Sequence, residues 1–476
     1  MEEEISIDAR FSAAKAAVTV QLNLVVPLAH KATAMRSMDT AGSDRVWSSA
    51  VSPLIGECLC RGDVDSTNRR STRPTTLGIR TSMMATRTTR TRTTKAGFAP
   101  SADYDDVDAL FDGVSFVEVV AAYFDCRRTK RNSRSALAFE QNLERNLADL
   151  YDSLVDGSYR PGRSICFVVT RPKAREVWAA DFPDRIVHHL LYNRIGARFE
   201  NSFIADSCAC IKGRGTLYAA RRLESKIRSV TQNWALPAFY LKCDLANFFV
   251  SIDKTILLEL LARKIAEPWW MRLAEIVLFH DPRTDFEFRG DPTLLNLVPA
   301  HKRLTNQPAH LGLPIGNLSS QFFANVYLDV LDQHAKHQLH ARRYVRYVDD
   351  FIFLHDSADW LTTVLADVDA FLPARLAARL NPKKTILQPV SRGVDFVGQV
   401  IKPWRRSTRR RTVNEAVRRV AAIDESEFLS VANSYFGLLG QASSSHLDRA
   451  RIANAVRRRD HAVNYALTKT YRGSKT

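Results

Sequence analysis

Apolar positions recur along this chain at two spacings. In "ALAFEQNLERNLADLYDSLVDGSY" (136–159), Leu143, Leu147, Leu150 and Leu154 return to one helical face, and Gly157 stands where the helix would be capped. "FVEVVAAYF" (116–124) and "PDRIVHHLLYNRIGARF" (183–199) have the same period. Between them, "SICFVVTRPKAREVWAADF" (164–182) predicts two strands joined by a basic turn. "LPAFYLKCDLANFFVSIDK" (236–254) predicts a buried strand that ends at Asp244 and runs into a turn or helix start. A Gly/Pro turn, "GLPIGN" (312–317), opens a helix in which Phe322, Val326 and Leu328 are among the apolar positions. "RYVRYVDDFIFL" (343–354) predicts two apolar strands joined at two adjacent aspartates. A helix over 358–380, short strands over 381–401 and basic helices over 414–459 complete the pattern, with no internal repeat or heptad array.

Composition changes this picture in its charge. The 476 residues suffice for two to four domains or one elaborate enzyme, and 45% hydrophobic with 25% charged residues predicts a large folded core. The net charge of +17 is local: residues 402–476 carry +10, residues 66–100 carry +8, and the remainder is close to neutral. Such concentration predicts a polyanionic partner. Residues 1–100, with the Thr/Arg-rich run "STRPTTLGIRTSMMATRTTRTRTTKAG", read as a disordered basic extension. That extension is an RNA-binding arm, a non-structural appendage, or translation from upstream of the true start, with Met83 and Met84 as alternative starts.

Seven cysteines at irregular spacing, including two C-x-C pairs, favour reduced thiols and a cytoplasmic location. The acidic start "MEEEISIDAR" is unlike a signal peptide, and "AVTVQLNLVVPLA" (17–29) is too short and too interrupted to span a membrane.

The candidate chemistry lies at the acidic strand ends. Asp349 and Asp350 repel one another unless a cation sits between them or both face water. The two-residue turn between these strands also lacks the usual Gly or Asn. One reading is an exposed turn; the other is a metal site to which Asp244 contributes a third carboxylate. Mg²⁺ takes hard oxygen ligands of this kind. For Asp244 the competing reading is a helix N-cap.

These residues carry a resemblance. "YVDD" between apolar strands, with "CDLANFF" about a hundred residues upstream, resembles the palm of a reverse transcriptase. "RPKAREVWAADFPDRIVHHLLYNRI" (171–195), "SFIADSCACIKGRGT" (202–216), "GLPIGNLSSQFFANVYLDVLD" (312–332), "NPKKT" (381–385), "GVDFVGQVI" (393–401) and "NSYFGLLGQA" (433–442) resemble the family's further motifs in order. The I-G-x-x-x-S-Q pattern, with Ile315 where group II intron and retroviral enzymes have Gln, is similar to the reverse transcriptases of diversity-generating retroelements.

The resemblance implies an α+β right hand after the extension at 1–100. N-terminal helices and fingers span 101–235, an antiparallel-sheet palm spans 236–404 with an insertion near 265–311, and a short basic helical thumb spans 405–476. It implies two Mg²⁺ ions, with Mn²⁺ a possible substitute, bound by Asp244, Asp349 and Asp350. Strand alternation makes Asp244 and Asp349 the expected direct ligands, with Asp350 further out. Lys173 and Arg175 would hold the incoming deoxynucleoside triphosphate, against the plainer reading of a solvated turn. Phe249 would be a steric gate against a ribose 2′-hydroxyl, against simple core packing, and Ile315 would lie at the nascent pair. A lysine of "NPKKT" would protonate pyrophosphate, with Lys383 and Lys384 both candidates.

Arg449, Arg451, Arg457, Arg458 and Arg459, with "RRSTRRR" (405–411), would grip the backbone of an RNA template and a DNA or RNA primer, or in part form a solvated face. The family copies RNA into cDNA with errors at adenines, assisted by a small basic accessory protein. Alternatives are a retron-like, phage-defence or group II intron-derived reverse transcriptase, or a non-catalytic nucleic-acid-binding protein. Arg185 is expected to be structural, with Asp181 or Asp184 as its partner. His188, His189 and the C-x-C cysteines are expected to be structural.

Overall fold

The computed structural model describes residues 113–128, 133–171 and 173–472; the expected extension at 1–100 lies outside them. Helix α1 (Phe116–Arg127) starts at a capping box in which Ser115 and Glu118 satisfy each other's backbone N–H groups. It is followed by α2 (Arg134–Glu140) and α3 (Leu143–Val155). Leu147, Leu150 and Leu154 of α3 are buried on one face, and Gly157 follows the helix with φ +75°.

Strands β1 (Ser164–Val169) and β2 (Arg175–Ala179) pair antiparallel, as the basic-turn reading predicts. Next come α4 (Phe182–Glu200), α5 (Thr216–Val230), β3 (Phe239–Asp244), the short α6 (Phe248–Ser251), α7 (Lys254–Ala262) and α8 (Pro268–Phe279). Strand β4 (Phe286–Phe288) adds parallel to β1. It leads through 3₁₀ turns to the loop before α9 (Leu318–Gln333).

The central sheet contains β5 (Tyr344–Tyr347), β6 (Asp350–His355) and, after α10 (Ala358–Leu376), β7 (Ile386–Pro389). Its order is β5-β6-β3-β7, antiparallel throughout. Both faces are covered. Leu241, Cys243, Tyr344, Phe351 and Phe353 pack with helical residues such as Phe323, Tyr327, Leu361 and Val368. Tyr240, Val345, Ile352 and Leu354 pack with Leu223 and Ile227 of α5 and with Val394, Phe396 and Ile401. Burial on both faces explains why "FIFL" is a continuous apolar run rather than an alternating one.

A second antiparallel sheet joins β8 (Val394–Phe396), β9 (Gln399–Lys402) and β10 (Arg405–Thr408). Helices α11 (Arg410–Ala422), α12 (Glu425–Gly440) and α13 (His446–Arg457) then share a separate core around Val413, Phe428, Phe436 and Ile452. A small hairpin of β11 (Ala462–Val463) and β12 (Thr470–Tyr471), not foreseen from the helical pattern, lies against them.

One local expectation is corrected. Arg185 pairs with neither Asp181 nor Asp184; its Nε donates to the Ala180 carbonyl at 2.7 Å. Asp184 is instead satisfied by the Tyr159 hydroxyl at 2.8 Å and the Gly162 N–H at 3.0 Å. His188 is buried as expected, and burial holds its imidazole neutral, with its pKa lowered to about 3.

Candidate active site

Register brings the carboxylates together. Asp244 ends β3 directly opposite Asp350, the first residue of β6, and the Leu245 N–H donates to the Asp349 carbonyl at 3.2 Å. Directly opposed residues of an antiparallel pair point to the same face. Asp350 thus shares the face of Asp244, whereas Asp349 lies in the turn between the strands and feels the Asp244 charge.

The other plain readings also fall. Asp244 is not an N-cap, because α6 starts after Asn247, which has φ +51°. Asp350 is not an exposed turn residue, since its side chain is 23% exposed.

The turn itself is strained and braced. Val348 has φ +54°, a left-handed conformation that a β-branched residue rarely adopts. Its carbonyl accepts from Arg346 Nη1 at 3.2 Å. Arg346 is fully buried and is fixed by Asp332 of α9 at 2.6 Å, by Ser207 and by Asn325. A buried guanidinium with its hydrogen bonds satisfied is a stiff support for the turn.

Unbalanced negative charge is visible in the acids. Burial, then the charge of Asp244, raises the Asp349 pKa. Burial raises that of Asp350 to about 6 although Lys242 opposes the shift. One Asp350 oxygen, Oδ1, is buried without a hydrogen-bond partner.

Cations face these acids. Lys384 Nζ lies 2.6 Å from both oxygens of Asp244. It is carried there by a 3₁₀ turn, Pro382–Lys384, which Asn381 caps while its N–H bonds the Asp244 carbonyl. Lys383 is exposed and makes no such contact, so of the two candidates Lys384 reaches the site.

Lys173 sits in the turn before β2 and Arg175 begins that strand. The Arg175 charge is felt at Asp349. The Lys173 pKa is lowered by partial burial and then by Lys384, Lys302, Arg175 and Arg411. Positive charge from four parts of the chain thus acts around Lys173, a field that suits an anionic ligand such as a triphosphate.

The loop before α9 ties these parts together. The Ile315 carbonyl accepts from Trp178 N–H of β2 at 2.8 Å, and Asn317 Oδ1 accepts from Ala180 N–H at 3.0 Å. The Phe249 carbonyl accepts from Leu313 N–H at 2.8 Å. Gly316, at φ +133°, allows this approach, because a Cβ there would lie 2.6 Å from the Trp178 carbonyl oxygen. Phe249 and Ile315 are both half-buried, Phe249 packing partly on the main core.

The basic C-terminal residues are not brought to the carboxylates, and several are structural. Arg449 donates to the Ala466 carbonyl at 2.7 Å, and Arg459 to those of Val420 and Ile423. Arg406 is buried against Glu224 and Gln399, and Arg409 pairs with Asp395. Arg451 and Arg457 on α13 and Arg458 just after it are exposed, the first two bonded to Asn414 and Asn454.

Sequence reading missed Lys242, Lys302 and Arg346, and it placed Arg411 on the nucleic-acid backbone rather than near Lys173. The one signal available for Lys242 was a lysine inside an otherwise apolar strand.

Among the described residues, no three His, Cys, Asp or Glu side chains already close around a metal position. Two of the acids are instead bonded to lysines. An orphaned buried oxygen and mutually repelling carboxylates nevertheless fit hard divalent cations. No helix among the described residues is long and apolar enough to cross a membrane.

Telomerase from Candida albicans, solved in complex with a fragment of telomeric RNA, is similar at 12% identity and a TM-score of 0.38, over 63% of this chain and 53% of that one. Apo telomerase from Candida tropicalis, truncated from its C-terminal domain, is similar at 14% identity and a TM-score of 0.36, over 54% of this chain and 58% of that one. The chain thus spans little more than half the length of either. No curated protein matches significantly. Residues 172–401 match the family described as reverse transcriptase (RNA-dependent DNA polymerase). That span holds Asp244, Asp349, Asp350, Lys173, Arg175, Phe249, Ile315 and Lys384, and it is a reverse transcriptase domain.

Proposed function

We propose that this chain is an RNA-directed DNA polymerase of a diversity-generating retroelement, which copies a template RNA into cDNA with errors at adenines. The observation that carries the polymerase reading is the meeting of Asp244, Asp349 and Asp350 opposite Lys173, Arg175 and Lys384 within the matched domain. In this reading β1, β2 and β4 belong to fingers, the four-stranded sheet is the palm, and α11 to α13 form a thumb over the template–primer.

Asp244, Asp349 and Asp350 would hold two Mg²⁺ ions, with Mn²⁺ a substitute. Bound there, the ions supply the charge that activates a primer hydroxyl and stabilises the departing pyrophosphate. The chain's own residues do the rest. Arg175 offers a planar fork and Lys173 a mobile point charge to the triphosphate oxygens. Lys384 stands close enough to the carboxylates to give a proton to the leaving group. Phe249 places an apolar ring where a ribose 2′-hydroxyl would have to fit. Arg451, Arg457 and Arg458 offer exposed charge to a nucleic-acid backbone in a sequence-independent way.

Ile315 supports the mutagenic part of the reading. Its backbone is fixed on Trp178, so the side chain has a set place, and that side chain has no amide to test the geometry of a base pair. A few kcal/mol governs discrimination between pairs. Ile315→Gln should lower the adenine error rate in copied cDNA; an unchanged spectrum removes this residue from the account. Phe249→Ala should raise ribonucleotide incorporation.

The deciding experiment extends a primer on an RNA template with purified protein, with Mg²⁺ or EDTA, with and without a small basic accessory protein encoded nearby. Metal-dependent extension by wild type and none by Asp349→Ala supports the reading. Equal signal from both defeats it and leaves a nucleic-acid-binding protein. Two near-identical DNA repeats beside the gene, differing where one has adenine, mark the retroelement. Their absence favours a retron-like or defence role.

A further inference from the structure

Lys242 stands on β3 two residues before Asp244 and therefore on the same face. Its Nζ lies 3.1 Å from Asp350 Oδ2 and donates to the Asp395 carbonyl of β8 at 2.8 Å. The ammonium lies 6.0 Å from the centroid of the Phe396 ring, and the side chain is only 15% exposed. Two of its three N–H donors are thereby committed to fixed partners. The carboxylate of Asp395 pairs in turn with Arg409, the residue that precedes α11. A continuous polar path thus runs from Asp350 through Lys242 and Asp395 to the start of the C-terminal helices.

We propose that Lys242 is a positioning residue that fixes Asp350 by one oxygen and couples its placement to the β8–β10 sheet and the base of α11. A counter-ion that served charge balance alone could remain in solvent. Lys242 is instead anchored to a carbonyl of a different sheet, so the Asp350 carboxylate cannot rotate freely. Its second oxygen, Oδ1, stays buried and unpartnered and so keeps its capacity for a divalent cation. The polymerase reading underlies this assignment. The cost of holding Asp350 this way is a positive charge beside a cation site, which weakens metal affinity in exchange for geometry.

The test is Lys242→Met beside Lys242→Arg and wild type. Mn²⁺ binding without nucleotide is measured by electron paramagnetic resonance, thermal melting reports folding, and single-turnover extension is followed at saturating metal and nucleotide. Removing the competing ammonium should tighten Mn²⁺ binding roughly tenfold. The extension rate should fall roughly ten- to a hundredfold with nucleotide KM unchanged, the range seen when a partner that orients a metal ligand is lost. Lys242→Arg, which keeps the charge and can reach both partners, should recover part of the rate and return Mn²⁺ affinity toward wild type.

Unchanged Mn²⁺ affinity and rate in Lys242→Met overturns the assignment. So does a loss of both that tracks a drop in melting temperature in both variants, which would make Lys242 a folding residue. Failure of wild type to extend any primer would count against the polymerase reading, while the Mn²⁺ titration would still report on Lys242.

Discussion

Asp350 and Arg459 both belong to segments whose charge stands out in the sequence, and the fold treats them in opposite ways. Asp350 keeps a buried oxygen without a partner. Arg459 commits its guanidinium to the Val420 and Ile423 carbonyls and to Glu425, closing the C-terminal helices on one another. Arg406 does the same between α5 and β10, through Glu224 and Gln399. Asp350 is thus left unsatisfied at one oxygen, whereas the Arg459 and Arg406 guanidiniums are taken up by the protein itself. Charge in a sequence identifies candidates; between Asp350 and the pair Arg406 and Arg459, unfilled hydrogen-bonding capacity separates the candidate site from the staples.

Substitutions can break this comparison, and the largest effect belongs to the acidic side. Asp349→Ala should cut primer extension by about a thousandfold or more, the loss of several kcal/mol of transition-state stabilisation. Its melting temperature should not fall, because a repelling buried carboxylate has been removed. A large drop in stability with residual extension would make Asp349 a structural residue.

Arg406→Ala should do the converse. Leaving Glu224 and Gln399 without their partner should destabilise the fold by about 3–5 kcal/mol, read by denaturant unfolding. Extension per folded molecule should stay nearly intact.

His188 sharpens the comparison, because its Nδ1 is also buried without a partner, yet the charges that act on it are those of His189, His280 and Arg185 rather than carboxylates. Its pKa is lowered in the folded state, so the stability it contributes is fully present above the unfolded value near 6.5 and is lost as pH falls toward about 3. The protein should lose roughly 1.4 kcal/mol per pH unit from this residue between pH 6 and 5. His188→Leu should flatten that slope without altering extension at pH 8.

The smallest effect is expected at Arg458. Arg458→Ala should leave stability unchanged, weaken template–primer binding a few-fold, and reduce the salt slope by about one phosphate contact. A loss of stability would add Arg458 to the staples.

Much of this was legible in advance because it depends on local pattern. β3 ends at Asp244 as its apolar run predicts, the Asp-Asp hairpin forms, and the one-sided leucines of α3 are buried. What could not be read depends on pairing between distant segments. Register, not alternation, puts Asp350 beside Asp244. The partners of Arg406, Arg449 and Arg459 include backbone carbonyls and side chains supplied by tertiary packing, which no sequence pattern announces. Lys242 and Arg346 were hidden for the same reason: each is a lone charge inside a strand, and only its partners reveal what it holds.

The pairing of Asp244 with Asp350 also has a consequence for how the protein is made. β3 leaves the ribosome just over a hundred residues ahead of β6, the strand on which it must dock. Until His355 has emerged, Leu241 and Cys243 have neither a neighbouring strand nor the α10 helix that covers them. Contacts of such long range close slowly and leave an unpaired apolar edge in the interval. Slowing translation between residues 245 and 355 should therefore lower the soluble yield more than slowing it after residue 405, where the last helices build a core of their own.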